Sequence, residues 1–374
     1  MKRILFFIGA LLILCSGLYA DLLTAYKKGE IKLVPDPNFG TKTEWDMLFR
    51  AEQDKSLAFL PDGSFFRTAS KDGKVFKFND KGEKIAEFGR KGQGPGDLQN
   101  PLGVDILDAR YVVVNDSGNR RISIFDLGGK YVDAIKADYF IFCLVALQDN
   151  KVALVTQDQK STFWVKQYRV LIKDLEAGGE KEVATFTDEK PQSPIFLKLD
   201  PFDGAVHIAR VGKDKFLVAY SKSPEVTLYS FSGEKLSSFS VGIEREKISW
   251  DHLIYLMQPE SMSKTEREGY EKVIVSNKDK IRLPEYHQYY LGLTVDSESH
   301  ILLYLNRFAK KTREIAFQVY STAGELLAAT KVNQAEYKAV NPYSMYFHKN
   351  FVFATLEKKD AEGTQFLARI KIAD

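Results

Sequence analysis

Val75-Phe76-Lys77-Phe78-Asn79-Asp80-Lys81-Gly82-Glu83-Lys84-Ile85-Ala86-Glu87-Phe88 decides how this chain is read. Apolar side chains at Val75, Phe76 and Phe78 lead into a polar link, and Ile85 and Phe88 follow it. Alternation of this kind belongs to strands, and a short polar link ending in Gly belongs to a tight hairpin. Gly82 suits the link because hairpin loops of about three to five residues commonly close on a left-handed position. The same order returns as Phe125-Asp126-Leu127-Gly128-Gly129-Lys130, Tyr229-Ser230-Phe231-Ser232-Gly233-Glu234 and Tyr320-Ser321-Thr322-Ala323-Gly324-Glu325. A degenerate copy runs from Val170-Leu171-Ile172-Lys173-Asp174 to Gly178-Gly179-Glu180.

Phe78 and Phe125 lie 47 residues apart, and Phe125 and Tyr229 lie 104 apart, with the degenerate copy between them. Tyr229 and Tyr320 are separated by 91, one unit plus an insertion. Units of about 40 to 50 residues, each with several short strands, predict an all-β, six-bladed β-propeller. The expected blades are Ser56–Gly89, Pro101–Lys136, Ile141–Phe186, Ala205–Val241, Tyr290–Val332 and Tyr343–Ile372. The last holds three strands, and an open strand edge invites aggregation. Ile31-Lys32-Leu33-Val34, ended by Pro35, is therefore expected to complete that blade and close the ring.

The insertion between blades 4 and 5, about residues 247–283, reads as two short helices. Trp250, Leu253, Ile254 and Met257 fall at helical spacing, and Ser263-Lys264-Thr265-Glu266 is a capping box that starts a second helix through Val275. The insertion is either a lid or partner surface, or an expanded loop packing its own apolar side.

Of 374 residues, 44% are hydrophobic and 28% charged, which excludes wholesale disorder and a multi-span membrane protein. Lys2 and Arg3, an apolar run from Ile4 to Leu14, then Ser16, Gly17 and Ala20 read as a signal peptide over residues 1–20. Residues 21–374 then form one exported domain, periplasmic or extracellular. The alternatives are an uncleaved membrane anchor, although the run is shorter than the roughly 20 residues that cross a bilayer, or lipid attachment at Cys15. Losing Lys2 and Arg3 lowers the formal charge from +3 to +1. Nucleic-acid binding needs a concentrated basic face and is not expected. Cys143 remains as the only thiol, so no internal disulfide forms. It lies in Phe140-Ile141-Phe142-Cys143-Leu144-Val145, a run that reads as a buried strand with Cys143 as a small core hydrophobe.

Phe88-Gly89-Arg90-Lys91-Gly92-Gln93-Gly94-Pro95-Gly96, Pro101-Leu102-Gly103-Val104 and Val112-Val113-Val114-Asn115-Asp116-Ser117-Gly118-Asn119-Arg120-Arg121-Ile122-Ser123-Ile124-Phe125-Asp126 complete one unit. That unit resembles an NHL repeat, and especially the NHL/TolB-like bacterial secreted six-bladed propellers. The likeness covers about Pro61–Ile135; elsewhere the strand–Gly–strand rhythm survives. It implies a six-bladed ring with a binding or scaffolding role, and it implies no one ligand.

The Gly92–Gly96 loop precedes a strand and contains Pro95, so it reads as an inter-blade turn; phosphate loops open a helix. Arg90, Asn115, Asp116 and Arg120 are candidate ligand-binding residues, although Asn115–Asn119 with Arg121 also reads as turn chemistry. Tyr286, His287 and Tyr289 belong to Pro284-Glu285-Tyr286-His287-Gln288-Tyr289-Tyr290. They either line a carbohydrate or peptide groove, where Tyr offers a flat apolar face and a polar tip, or enter a strand with rings in the core.

His207, His252, His287, His300 and His348 show no zinc-site spacing, and no Gly-x-Ser-x-Gly or Gly-x-x-x-x-Gly-Lys sequence occurs. No catalytic or metal-binding residue is assigned. The architecture is also similar to gluconolactonase-type propellers, which hold calcium at the channel mouth, and to an NHL-built peptide-amidating lyase with zinc. These imply the alternative, a metal-dependent hydrolase or lyase at the central channel, with calcium as a possible cofactor. The expectation is an exported, monomeric binding or scaffolding protein, not an enzyme, that engages a protein, peptide or glycan partner through one face.

Overall fold

The chain enters through helix α1 (Leu22–Lys27) and strand β1 (Glu30–Lys32), then builds six antiparallel sheets in sequence order. The structure is a computed structural model describing residues 22–40, 56–162, 165–189, 202–257, 262–305, 307–309, 312–339, 345–359 and 365–372. The predicted leader, including Cys15, lies outside the described residues.

Blade 1 holds β2 (Leu57–Phe59), β3 (Phe65–Ala69), β4 (Lys74–Phe78) and β5 (Lys84–Phe88). Blade 2 holds β6 (Pro101–Leu107), β7 (Tyr111–Asp116), β8 (Arg121–Asp126) and β9 (Tyr131–Lys136). Blade 3 holds β10 (Ile141–Ala146), β11 (Lys151–Gln157), β12 (Val165–Asp174) and β13 (Glu180–Glu189). Blade 4 holds β14 (Val206–Val211), β15 (Lys215–Tyr220), β16 (Glu225–Ser230) and β17 (Lys235–Ser240). Blade 5 holds β18 (Tyr290–Val295), β19 (Ile301–Leu305), β22 (Ala316–Tyr320) and β23 (Leu326–Asn333), with the small hairpin β20 (Arg307–Ala309) and β21 (Thr312–Glu314) between its middle strands. In blade 6, β24 (Tyr337–Ala339) and β25 (Tyr346–His348) share one edge of β26 (Phe351–Lys358), and β27 (Gln365–Lys371) takes the other. The chain is thus an all-β, six-bladed propeller.

The core is divided among the seams of the ring. Separate apolar clusters join blades 1 and 2, 2 and 3, 3 and 4, 4 and 5, 5 and 6, and 6 and 1. Middle strands are buried on both sides, β3 and β19 along their whole length, which is why a strand such as β19 reads as an apolar run. The hairpin Gly also serves a seam. Gly129 sits at φ +89, and a Cβ there would come within 2.5 Å of Phe88 on blade 1. The position requires a left-handed residue with no side chain.

The expected closure by residues 31–34 is corrected. Ile31 and Lys32 pair in parallel with Val332 and Asn333 on β23, the outer strand of blade 5. The cause lies one element earlier. Leu22 and Tyr26 are fully buried between blades 5 and 6, and the Tyr26 hydroxyl donates to Asp296 Oδ2 at 3.0 Å. That anchor sets β1 beside blade 5. Contact with β27 falls to the next residues. Pro35 bridges Ile370, the Asp36 N–H donates to the Arg369 carbonyl at 2.8 Å, and Phe39 enters the seam between blades 6 and 1. Pro35 lacks an N–H, so it cannot extend the ladder.

In an antiparallel four-stranded blade, the turn after the second strand and the link to the next blade lie on one face of the ring. The first and third turns lie on the other. Between β17 and β18 the link contains α2 (Trp250–Met257) and α3 (Lys264–Ser276). Ser263 and Glu266 complete the predicted capping box. Leu253, Ile274, Ile281 and Phe202 bury a small core of their own. The face that carries these helices is termed the insertion face.

Candidate functional site

Of the candidates in and beside blade 2, Asp116 is structural, tying the blade to its glycine-rich loop through Asn119 and Arg121. Asp116 is buried, and its carboxylate accepts from the Gln99 N–H at 2.9 Å, Asn119 Nδ2 at 2.7 Å and Arg121 Nε at 3.0 Å. Arg121 in turn donates to the carbonyls of Gln93, Gly94 and Asp97, pinning the glycine-rich loop. Asn115 Nδ2 donates to the Ile141 carbonyl at 2.9 Å, across the seam to blade 3. Arg120 is exposed in a left-handed conformation, φ 50°, its N–H bonded to the Ser117 carbonyl. Arg90 is 81% exposed and pairs with Asp97 at 2.6 Å.

Tyr286, His287 and Tyr289 stand elsewhere, at the neck of the insertion. Residues 246–248 and 285–287 run antiparallel there, with Ile248 N–H to the Glu285 carbonyl at 3.0 Å and His287 N–H to the Glu246 carbonyl at 2.9 Å. Arg245 organises the neck. It donates to the carbonyls of His287 at 2.7 Å and Tyr286 at 3.1 Å, and its guanidinium lies 5.3 Å from the Tyr286 ring and 5.1 Å from the Tyr289 ring. Lys247 Nζ is 5.5 Å from Tyr286. Both tyrosines remain half-buried, held in place by cation–π and backbone contacts. His287 differs: it is buried, and its Nε2 meets Nδ1 of His252 on α2 at 3.0 Å.

A third aromatic group, taken in the sequence for part of a buried strand, faces water. Phe140 and Phe142 are each 42% exposed, and their rings meet edge to face at 4.9 Å. Tyr168 lies 5.5 Å from Phe142. The apolar run is an innermost strand, so Ile141, Leu144 and Ala146 enter the seam with blade 2 while Phe142 points away from it. Because β10 starts on the insertion face, the pair sits beside the channel mouth on that face.

Among the described residues, Asp105, Cys143 and His207 on the inner strands are engaged or neutral. Asp105 accepts from the N–H groups of Ile106 and Ala146 at 2.7 Å each, and Arg210 donates to the Ala146 carbonyl at 3.0 Å. These bonds tie the inner strands of blades 2, 3 and 4. Burial raises the Asp105 carboxyl, with Arg210 acting against it. Burial, with Asp105 nearby, pushes the Cys143 thiol up to about 12. Burial pulls His207 down to about 4. Among the described residues no three His, Cys, Asp or Glu side chains are grouped to hold a metal ion.

Sequence reasoning missed Arg245, His252 and the exposure of Phe140 and Phe142. Arg245 and His252 act on residues 35 to 42 positions away, with no local pattern to mark them. For the two phenylalanines the signal existed: the run precedes the second strand of its blade, so it had to be an innermost strand.

A model of the DUF5128 family, described as a 6-bladed beta-propeller, matches residues 58–208, which span the first three blades and the start of the fourth. No curated protein matches the chain. Among solved structures, a Bacteroides fragilis protein described as exported is 13% identical, with 87% of each chain covered and a TM-score of 0.50. A member of the duf4221 family from Bacteroides vulgatus is 10% identical, with 92% of this chain and 98% of that one covered and a TM-score of 0.50. Virginiamycin B lyase from Staphylococcus aureus is 10% identical over 88% of this chain and 87% of that one, with a TM-score of 0.44. At these identities the likeness is one of fold.

Proposed function

We propose that this propeller is an exported, monomeric binding or scaffolding protein that engages a protein, peptide or glycan partner across its insertion face. The observation that carries the reading is the Phe140–Phe142 pair. Two large aromatic side chains stand in water at the channel mouth, where covering them would add about 1–2 kcal/mol. On the same face, Tyr286 and Tyr289 lie against the Arg245 guanidinium, and aromatic faces held by such contacts recognise sugars and peptides at small entropic cost.

A binding role, as opposed to a catalytic one, is supported by the channel. Cys143 is protonated at neutral pH, and Asp105 is committed to backbone amides. Export rests on the leader-like residues 1–20; among the described residues no helix is long and apolar enough to cross a membrane. The test is a screen of oligosaccharide and peptide arrays with the wild type, the Phe140→Ser/Phe142→Ser double variant and Val132→Ser, a control exposed on blade 2. Binding lost in the double variant and kept in the control is the expected result. Binding unaffected by the double variant rejects the reading, as does stoichiometric calcium or zinc whose removal abolishes a hydrolytic or lyase activity.

A further inference from the structure

We infer that the insertion is fastened to the ring by a proton-sensitive clasp, the contact between His252 on α2 and His287 at the neck, and that acid opens it. His252 Nδ1 and His287 Nε2 lie 3.0 Å apart, with the two residues 8% and 1% exposed. A bond between two imidazole nitrogens needs one N–H and one lone pair. The Ser249 N–H points at His252 Nδ1 from 3.5 Å, an arrangement that suits the tautomer in which this nitrogen accepts and His287 Nε2 carries the shared hydrogen.

Protonation of His252 removes the lone pair this bond uses. A single extra proton is tolerated if His287 moves its own hydrogen to its other nitrogen. Two are not, because two imidazolium rings would then oppose N–H to N–H away from water. Among the described residues Glu246 faces the pair, its Oε1 4.0 Å from His252 Nε2. Arg245 is the base, bound to the His287 carbonyl. Phe202 covers the other side of His287 at 5.8 Å, and Asp203 beside it is paired with Lys166. Asp251 precedes His252 on α2, and α3 adds Ile274 and Tyr270 to the layer beneath.

Docking therefore holds while the pair carries at most one extra proton and weakens with acid, once both rings are charged. A closed or open insertion is a property of this chain whether or not its insertion face binds a partner.

Hydrogen exchange of the full chain at pH 7.5 and 5.0, corrected for the intrinsic pH dependence of exchange, tests the clasp. Residues 250–276 should lose protection at least ~10-fold at pH 5.0 while blades 1 and 2 keep theirs. His287→Gln and His252→Gln, which keep a polar partner and cannot titrate, should abolish that difference. Equal behaviour of insertion and blades overturns the inference, as does an unchanged pH response in either variant. Should both variants unfold, the wild-type imidazole titrations decide by NMR: coupled, displaced titrations support the clasp, and two independent ordinary ones overturn it. Zinc that stays bound at one equivalent after dialysis and removes the pH response also overturns it, since a metal then takes the place of the proton.

Discussion

His207 faces Tyr290 across the seam of blades 4 and 5, ring centroids 6.0 Å apart, and burial holds its imidazole at about 4. The unfolded chain titrates this group near 6.5, so between those values the unfolded state binds more protons and stability falls as the pH falls. His207→Phe should flatten the urea stability of the protein between pH 7 and pH 5 by roughly 2 kcal/mol; an unchanged slope would mean that the ring is solvated. At the same scale, Asp116 and Arg90 separate structure from ligand binding. Asp116→Ala strands the Gln99 amide and Arg121, and should cost about 2–4 kcal/mol in thermal unfolding, whereas Arg90→Ala on the exposed loop should stay within about 0.5 kcal/mol. The sequence marked both residues as candidates because asparagine, aspartate and arginine close together read alike in a turn and in a ligand site. Only their partners tell them apart, and the partners of Asp116 are 3 to 17 residues away.

Elements were legible wherever a local rule sufficed. Ser263 and Glu266 announce α3 because a capping box is a four-residue code. The hairpin glycines announce each third turn because the turn itself demands them. Gly129→Ala meets both a left-handed backbone and Phe88, while Gly178→Ala, at φ +75 with nothing within 4 Å, meets the backbone strain alone. The first should lower the urea midpoint by the equivalent of about 2–4 kcal/mol and the second by about 1 kcal/mol. Equal losses would show that the seam contact carries nothing. Elements set by distant contacts were not legible. Helix α1 is six residues long and is held by burial between blades and by Asp296, and the inner strand of blade 6 is divided between β24 and β25.

On the scale of the ring, the seam between blades 6 and 1 is where residues 35–39 meet β27. Arg369 spans it, bonded to Asp36 Oδ2 at 2.6 and 3.0 Å and to the Asp80 carbonyl at 2.7 Å, with its guanidinium over Phe39 and Phe351. Phe39 stands against Gly82 much as Phe88 stands against Gly129, so residues 35–39 give blade 1 the neighbour that an outer strand gives blade 2. Burial tends to raise the Asp36 carboxyl, and the bonds from Asn38 and Arg369 outweigh it, leaving the group below the usual carboxylate range. Its contribution is present above about pH 4 and lost as the pH falls further. Asp36→Asn should cost about 1–2 kcal/mol at pH 7 and progressively less as the pH falls below about 4, read by denaturation across that range; a loss independent of pH would mean that the ion pair is not the tie. The closure was half legible. The missing strand of blade 6 pointed to the N-terminal segment, but the residue register depended on where α1 docks.

The insertion face joins the exposed phenylalanines, the neck tyrosines and the two helices on one side of the ring. A hydrogen-exchange footprint of the full chain at pH 7.5, saturated with the tightest-bound oligosaccharide or peptide from the arrays, tests it most directly. Protection confined to residues 138–142, 286–289 and the insertion helices is the predicted result. Protection at the turns 60–64 and 127–130 on the opposite face, or none on the insertion face, would contradict it.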